Sequence, residues 1–226
     1  ALEISPNCTD AYPLLADERA ETVEEAAELF RRGMQAGERV LGPDYFQLYT
    51  GQFWQLAETR PYMRAREGLA NLLWAMEEHE AAEEHYRALL ELNPIDNQGI
   101  RYSLVNLLLE INRPRDALDV IERYRNDPSA FWLYSKALAL FQTSGPGGSA
   151  DQALKAALKA NRHVPAYLTG RRRIPQDPPE FIEMGARSEA VHYAFGNLNL
   201  WRQTPGAVDW LKSRGKIGKK NITGKT

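Results

Sequence analysis

The sequence predicts an all-α protein built from paired helices, and three observations lead to that fold class. Ala, Leu, Glu and Arg, which favour helices, dominate the chain, whereas alternating runs rich in Val, Ile and Thr are scarce. Apolar residues recur every three or four positions over long stretches, as they do on the buried face of a helix. Two such stretches, separated by a short polar break, occur twice in succession. We therefore expect a solenoid of αα-hairpins, in which each pair buries its apolar face against the next.

Residues 69–94 form the clearest predicted hairpin. The apolar positions of its two helices are, in order, Leu69, Leu72, Leu73, Met76, Ala82, Tyr86, Leu89, Leu90 and Leu92. Spacings of three and four put each set on one face of a helix, and the polar residues 77–80 separate the two sets. A tight turn between two amphipathic helices predicts an antiparallel pair.

Residues 100–124 repeat the same pattern. The apolar positions are Leu104, Leu107, Leu108, Ile111, Ala117, Leu118, Ile121 and Tyr124. Asn112 lies between the two helices, and asparagine tolerates the left-handed conformation that ends a helix better than most residues do. Pro114 suits the first turn of the second helix. Ala82 and Ala117 are 35 positions apart, close to one repeat period. Their small side chains let two helices approach closely.

Weaker repeats flank these two hairpins. Residues 1–6 resemble the end of a second helix, residues 10–16 and 24–30 a further pair, and residues 129–141 and 150–160 another. The predicted organisation is a set of helical repeats over 1–165, then an irregular helical cap over 166–211, and then a basic tail over 212–226 expected to be disordered. The cap follows a connection rich in proline and glycine at 170–185. Because the chain opens inside a repeat, we expect the parent protein to extend upstream of Ala1.

One inserted helix is predicted over 43–60. Gly42 and Pro43 end one helix and begin the next. The insertion carries a stripe of large apolar residues, namely Tyr45, Phe46, Tyr49, Phe53, Trp54 and Leu56. Such a stripe more often forms core than a ligand site, so we predict that it is buried.

The Tyr or Leu, Ala and Pro residues of these hairpins resemble the tetratricopeptide repeat family over residues 63–126. The resemblance implies a right-handed superhelical solenoid with a period of about 34 residues, in which the first helix of each pair lines a concave groove. The residues that it places in a peptide-binding groove are Arg64, Glu67, Asn71, Trp74, Tyr102, Asn106, Glu110 and Lys136. The alternative interpretation is an ordinary solvated helix face. Glu67 occupies a position where the family's carboxylate clamp has lysine, so that clamp is not expected.

Three further segments are similar to the tetratricopeptide-containing bacterial relatives of the suppression-of-tumorigenicity-7 family. They are LNPIDNQGIRYSL at 92–104, WLYSKALALF at 132–141 and VHYAFGNLNLW at 191–201. The resemblance implies an interaction scaffold without a known reaction. Eukaryotic members of that family are membrane-associated. No apolar run here reaches the roughly 18 residues that span a bilayer, so we do not carry that feature over.

The predicted function is therefore that of a non-enzymatic scaffold that binds a protein or peptide segment, with self-association as a further possibility. The formal net charge is −2, which argues against nucleic-acid binding by the whole surface. The single cysteine, Cys8, cannot form an internal disulfide and fits a reducing, cytoplasmic location. A rival interpretation uses Arg171, Arg172, Arg173 and the tail 212–226 to contact nucleic acid or an acidic partner.

A remote alternative is an enzyme with a site in the helical cap, formed by His163, Tyr167 and His192. No spacing in the sequence supports it. His79 and His85 are six residues apart and fall on different helix faces, and no pair of histidines or cysteines has the spacing of zinc ligands. We therefore expect no metal and no cofactor.

Overall fold

The computed structural model describes residues 5–214, and within that range the chain is helical with no β-strand. Residues 1–4 and 215–226, including most of the predicted basic tail, lie outside the described residues. The α-helices are α1 (Ala11–Arg19), α2 (Val23–Leu41), α3 (Pro43–Tyr49), α4 (Arg60–Ala75), α5 (His79–Leu92), α6 (Ile100–Glu110), α7 (Pro114–Arg123), α8 (Ala130–Ser144), α9 (Gly148–Ala160), α10 (Val164–Leu168), α11 (Arg187–Gln203) and α12 (Ala207–Arg214). The all-α prediction is confirmed.

The chain divides into two compact units, Ala1–Leu107 and Leu108–Thr226. In the first unit α1 packs on α2, α2 on α4, and α4 on α5. The turn 76–78 joins α4 to α5, and these two helices are the hairpin predicted at 69–94. The fully buried side chains of this unit include Phe53, Tyr62, Met63, Leu69, Tyr86 and Leu89.

Close packing of α2 against its neighbours depends on two glycines. Gly33 and Gly37 are buried and one helical turn apart. A Cβ on Gly37 would lie 2.9 Å from the Cβ of Tyr62 on α4. The missing side chain therefore sets how closely α2 and α4 approach each other.

The prediction of one continuous helix over 43–60 is wrong. Helix α3 ends at Tyr49, and two short 3-10 turns, Phe53–Gln55 and Ala57–Thr59, precede α4. Gly51 has a φ of +91°, which a helix cannot contain, and this turn redirects the chain. Of the aromatic stripe only Phe53 is fully buried, while its other members are half-buried. The stripe is a half-buried aromatic cluster and not a helix core.

In the second unit α8 packs on α9 across the tight turn 145–147, and α11 packs on α8, α10 and α12. Helices α8 and α11 run parallel, since the start of one is joined to the start of the other and the two ends are also joined. The backbone N–H of Ala130 donates to Oε1 of Glu189 at 2.7 Å, and Nε2 of Gln142 donates to Oγ1 of Thr204 at 3.0 Å. Tyr134, Tyr193 and Trp201 fill the space between the two helices.

The end of α6 follows the sequence prediction closely. Asn112 has a φ of +58°, the left-handed conformation expected there. The backbone N–H of Arg113 donates to the Leu108 carbonyl at 2.7 Å, which closes the helix end. Pro114 is the first residue of α7.

The predicted cap differs slightly from its expected bounds. The segment 170–185 contains no helix, and α12 extends to Arg214, three residues beyond the boundary predicted for the cap.

Candidate binding face

Four of the predicted groove residues lie along one stripe of α4: Arg64, Glu67, Asn71 and Trp74. Their spacings of three, four and three residues align them on one side of the helix. We call these four residues the α4 row. Arg64 and Asn71 are exposed, and Glu67 and Trp74 are half-buried. The row is therefore open to solvent, while other α4 side chains such as Leu69 and Leu73 fill the core.

Arg64 begins the row and is paired with an acid from another segment. Its Nη2 lies 2.7 Å from Oδ1 of Asp10, which directly precedes α1. Both side chains are about half exposed, at 48% and 49%. Water screens such a pair, which contributes at most about 1 kcal/mol to stability. Its main effect is to orient the guanidinium.

Glu67 is the half-buried carboxylate of the row. Its Oε2 accepts a hydrogen bond of 2.6 Å from Nε2 of Gln98. Burial raises the pKa of Glu67 above its ordinary value of 4.5, and the nearby Asp96 carboxylate raises it further, whereas the bond from Gln98 acts in the opposite direction. The carboxyl group is thus easier to protonate than a solvated glutamate.

Asn71 and Trp74 are both held by Tyr86 of α5. The Tyr86 hydroxyl donates to Oδ1 of Asn71 at 2.6 Å, and the Trp74 ring meets the Tyr86 ring edge-on at 6.4 Å. Burial raises the pKa of Tyr86, so the hydroxyl keeps the proton that it donates. Since Oδ1 of Asn71 is occupied, the amide orientation is fixed. In the range 5–214, Nδ2 has no hydrogen-bond partner, and Asn71 is exposed.

Tyr102 and Asn106 lie on α6 and are both half-buried. Tyr102 is positioned by Arg101, whose guanidinium lies 4.3 Å from the ring centroid and donates to the hydroxyl at 2.7 Å. Arg101 is itself paired at 2.8 Å with Asp96. The Asp96 side chain also accepts the backbone N–H of Ile100 at 2.7 Å, which caps the start of α6.

The last two predicted groove residues, Glu110 and Lys136, belong to the second unit. Glu110 is exposed at the end of α6, and Lys136 is half-buried on α8. The structure thus brings together the four residues of the α4 row in one unit. A single groove formed by all eight predicted residues stays a prediction.

The basic residues of the rival interpretation are exposed but partly neutralised. Arg171, Arg172 and Arg173 are all exposed. Lys212 pairs with Asp209 at 3.0 Å, and Arg214 lies 2.7 Å from a carboxylate oxygen of Asp151. Residues 215–226 of the predicted tail are outside the described part of the chain.

The residues of the remote enzyme alternative lie in different surroundings. Tyr167 is buried, His163 is half-buried, and Nε2 of His192 lies 2.6 Å from the Pro179 carbonyl. Burial lowers the pKa of His163, and neighbouring arginines lower it further. Within residues 5–214, no hydrogen bond joins any two of these three side chains. His85, on α5, accepts a hydrogen bond of 3.2 Å at Nδ1 from Nε of Arg66.

Sequence reasoning missed the partners that hold the α4 row. Tyr86 is assigned to the core by periodicity, yet its hydroxyl bonds Asn71 and its ring meets the Trp74 ring. Gln98 lies in the connection before α6, 31 residues after Glu67. The repeat period could have suggested that the start of one hairpin contacts the start of the next, but not which side chains meet.

The fold and this face define an all-helical protein of paired helices with a polar and aromatic row on one exposed face. Across residues 5–214, no helix has the length and apolarity needed to cross a membrane, and no group of three His, Cys, Asp or Glu side chains is arranged to hold a metal ion. The chain belongs to the ST7 family: the profile described as "ST7 protein" matches residues 1–217.

Curated relatives support this assignment at modest identity. The chain is 28% identical over 236 residues to the human "Suppressor of tumorigenicity 7 protein-like", covering 94% of this chain and 40% of that protein. It is also 28% identical over 234 residues to the "Suppressor of tumorigenicity 7 protein" of Macaca fascicularis, covering 93% of this chain and 43% of that protein. The chain therefore spans less than half the length of these relatives. Both are mammalian, and the predicted bacterial affiliation stays a prediction.

Proposed function

We propose that this chain is a peptide-binding scaffold in which the α4 row contacts an extended segment of a partner protein. The observation that carries the proposal is the state of Asn71. Tyr86 occupies the acceptor Oδ1 at 2.6 Å, while the donor Nδ2 is left on an exposed helix face. A fixed N–H donor of this kind suits the carbonyl oxygens of an extended peptide backbone.

The rest of the row supplies complementary chemistry. Trp74 is half-buried and offers an apolar ring surface beside the amide of Asn71. Arg64 and Glu67 provide one charge of each sign, and each is oriented by a partner. Side chains that are already ordered lose less conformational entropy when a ligand binds, which favours affinity.

We further propose that the helices form a tetratricopeptide-like solenoid with a concave face. Two features support this arrangement. Several pairs of successive helices pack as neighbours, among them α4 with α5 and α8 with α9. The parallel alignment of α8 and α11 is the relation expected between the first helices of consecutive repeats. Such folds present long curved surfaces, which explains why they often bind other proteins.

The proposal assigns this chain binding without catalysis, and it places that binding in the cytoplasm. A protein or peptide segment is the proposed partner, and no cofactor takes part. The chain covers about 40% of the human relative, so the remaining part of such a longer protein can bind additional partners. Self-association is compatible with the same surface.

The experiment is a peptide-display selection on the immobilised full chain, comparing wild type with Asn71→Asp. The substituted carboxylate still accepts from Tyr86 but lacks the Nδ2 donor. Asn199→Asp on α11 is the matched control, because Asn199 is also exposed on a helix. Loss of one such hydrogen bond should weaken the selected peptides about fivefold or more.

Peptides that bind wild type and Asn199→Asp equally but bind Asn71→Asp weakly would support the α4 row. Equal binding to all three proteins would contradict the role of Asn71 and move the proposed surface elsewhere. Circular dichroism of the variants checks that the helices are retained, since Asn71 is exposed and its substitution leaves the core intact.

A further inference from the structure

Three segments of the second unit meet around Asn161, the residue that follows α9. Its side chain accepts the backbone N–H of His163 at 2.9 Å and donates to the carbonyl of Ala186 at 2.8 Å. The backbone N–H of Arg172 donates to the carbonyl of Ala166 at 2.8 Å. These bonds hold together the turn after α9, the connection that precedes α11 and the start of α11 itself.

Each of the three segments carries an exposed arginine at this junction. Arg162 lies in the turn after α9, Arg172 in the connection, and Arg187 is the first residue of α11. We call these three residues the arginine cluster. The connection adds Arg171 and Arg173, which are also exposed. Within the part of the chain that the structure describes, none of these five arginines forms an ion pair with an acid.

The half-buried His163 lies within the field of the arginine cluster. Burial is the main reason why its pKa lies below the ordinary value of 6.5, and the charges of the three cluster arginines lower it further. The imidazole is therefore mostly neutral at pH 7. Its response shows that the three guanidiniums act on one common place, as the backbone bonds around Asn161 also indicate.

The carboxylate of Glu189 reaches the same junction, but its oxygens are already occupied. It accepts the side-chain amide of Asn161 at 2.9 Å and two backbone N–H groups at 2.7 Å, and it is 2% exposed. Glu183 is exposed shortly before α11, yet it pairs with no arginine among the described residues. The positive charge of the cluster thus stays uncompensated, and repulsion among the guanidiniums disfavours the free protein.

We propose that the arginine cluster binds the phosphate group of a phosphorylated residue in a partner protein. Three guanidiniums around one place suit a group that has three acceptor oxygens and nearly two negative charges. A carboxylate offers only two oxygens and one charge, so it satisfies the cluster less well. When the phosphate binds, it compensates the arginine charges, and His163 takes up a proton more easily.

The surroundings of the cluster favour a single phosphate over a nucleic-acid strand. Asp177, Glu180 and Glu183 are exposed in the same connection, and the formal net charge of the chain is −2. These acids repel the successive phosphates of a strand, which require an extended basic surface. The cluster includes no residue of the α4 row, so the proposal stands or fails independently of the proposed peptide-binding face.

The test is a titration of the full chain with a phosphoserine peptide, acetyl-Gly-Gly-phosphoserine-Gly-Gly-amide, at an ionic strength of about 0.15 M. Calorimetry gives the affinity, and NMR over a pH series gives the pKa of His163. The same peptide with glutamate in place of phosphoserine is the matched probe, and inorganic phosphate and a short oligouridylate are titrated in parallel. We expect the phosphoserine peptide to bind about tenfold more tightly than each of these probes and to raise the pKa of His163.

Arg172→Gln and Arg187→Gln test the location. Both residues are exposed, and a cation at the N-terminus of α11 is unfavourable, so neither change should disturb the fold. Arg202→Gln is the matched control, because it removes the same charge from an exposed position in the last turn of α11. Each cluster variant should bind the phosphoserine peptide about tenfold more weakly, whereas the control should keep the affinity of wild type.

Several outcomes overturn the proposal. Equal binding of the glutamate peptide would show that the phosphate is not recognised. Equal affinity for inorganic phosphate would make the free anion the ligand, and tighter binding of the oligouridylate would make it a nucleic acid. An unchanged pKa of His163, unchanged affinity in both cluster variants, or no detectable binding at millimolar concentrations would remove the arginine cluster as the site.

Discussion

Glu189 is the buried carboxylate that joins three segments of the second unit, and its removal should destabilise that unit strongly. The residue is 2% exposed. Its oxygens accept the backbone N–H of Ala130 at 2.7 Å, the side-chain amide of Asn161 at 2.9 Å and the backbone N–H of Gly185 at 2.7 Å. These donors belong to the start of α8, the end of α9 and the connection before α11.

The expected magnitude follows from the number of donors left without a partner. Each buried donor that loses its acceptor costs about 1–3 kcal/mol, and part of this is offset because a charge no longer has to be buried. We therefore expect Glu189→Ala to lower the free energy of unfolding by about 3–5 kcal/mol. Glu189→Gln keeps one acceptor oxygen but directs an amide N–H at one donor, and should cost about 1–3 kcal/mol.

Urea denaturation followed by circular dichroism measures the free energy, and Glu180→Ala in the exposed connection is the control. Amide hydrogen exchange adds a local readout, because the protection of the Ala130 and Gly185 amides depends on the Glu189 carboxylate. If Glu189→Ala does not fold, the same two measurements are made on Glu189→Gln. The reasoning is refuted if Glu189→Gln matches wild type in stability and both amides remain equally protected.

Two further predictions concern α2 and the α4 row. Gly37→Ala should destabilise the protein by about 1–2 kcal/mol net, because its Cβ would lie 2.9 Å from the Cβ of Tyr62. Gly196→Ala, whose Cβ would have nothing within 4 Å, should instead stabilise helix α11 by up to about 1 kcal/mol. Thermal unfolding that shifts both variants in the same direction would contradict this. Glu67→Gln should be more stable than wild type at pH 7, because the raised pKa of Glu67 means that the folded state disfavours the carboxylate. The difference should appear as the pH rises above 4.5 and vanish below it, and urea melts over a pH series in which the variant never exceeds wild type would refute it.

The hairpins could be predicted from sequence because their determinants are local. The period of apolar residues locates α5, and its observed bounds are His79–Leu92. Asn112 and Pro114 mark the end of one helix and the start of the next through their own backbone preferences. Such signals require no knowledge of what the helices pack against.

The segment 43–60 could not be predicted in the same way. Its aromatic residues follow a helical spacing, but Gly51 adopts a φ of +91° and breaks the helix. A single glycine inside a helical pattern is often tolerated, at a cost of about 1 kcal/mol. The competing gain is the burial of Phe53 together with the contacts among its aromatic neighbours, which only the tertiary structure reveals.

The candidate site likewise has one part that could be predicted from the sequence and another that could not. The members of the α4 row were named through the resemblance to the tetratricopeptide repeat, and their helical spacing explains why they lie on one side of α4. Their partners could not be named in this way, because Tyr86 lies 15 residues beyond Asn71, and Gln98 lies 31 residues beyond Glu67. Glu110 was predicted as a groove residue, but no sequence pattern indicated that it lines a cleft in the second unit.

The contacts around the α4 row fit the binding role that we propose for it. A general acid or base needs a proton that can move to or from a substrate, and its neighbours usually adjust its pKa for that purpose. Here the Arg64 guanidinium pairs with a carboxylate, and the Asn71 amide does not titrate, so both serve as fixed donors. Of the row, Glu67 has a raised pKa; burial is the main cause, the Asp96 carboxylate adds to it, and the bond from Gln98 opposes it. A surface whose polar atoms are oriented but not activated is suited to holding a ligand in place.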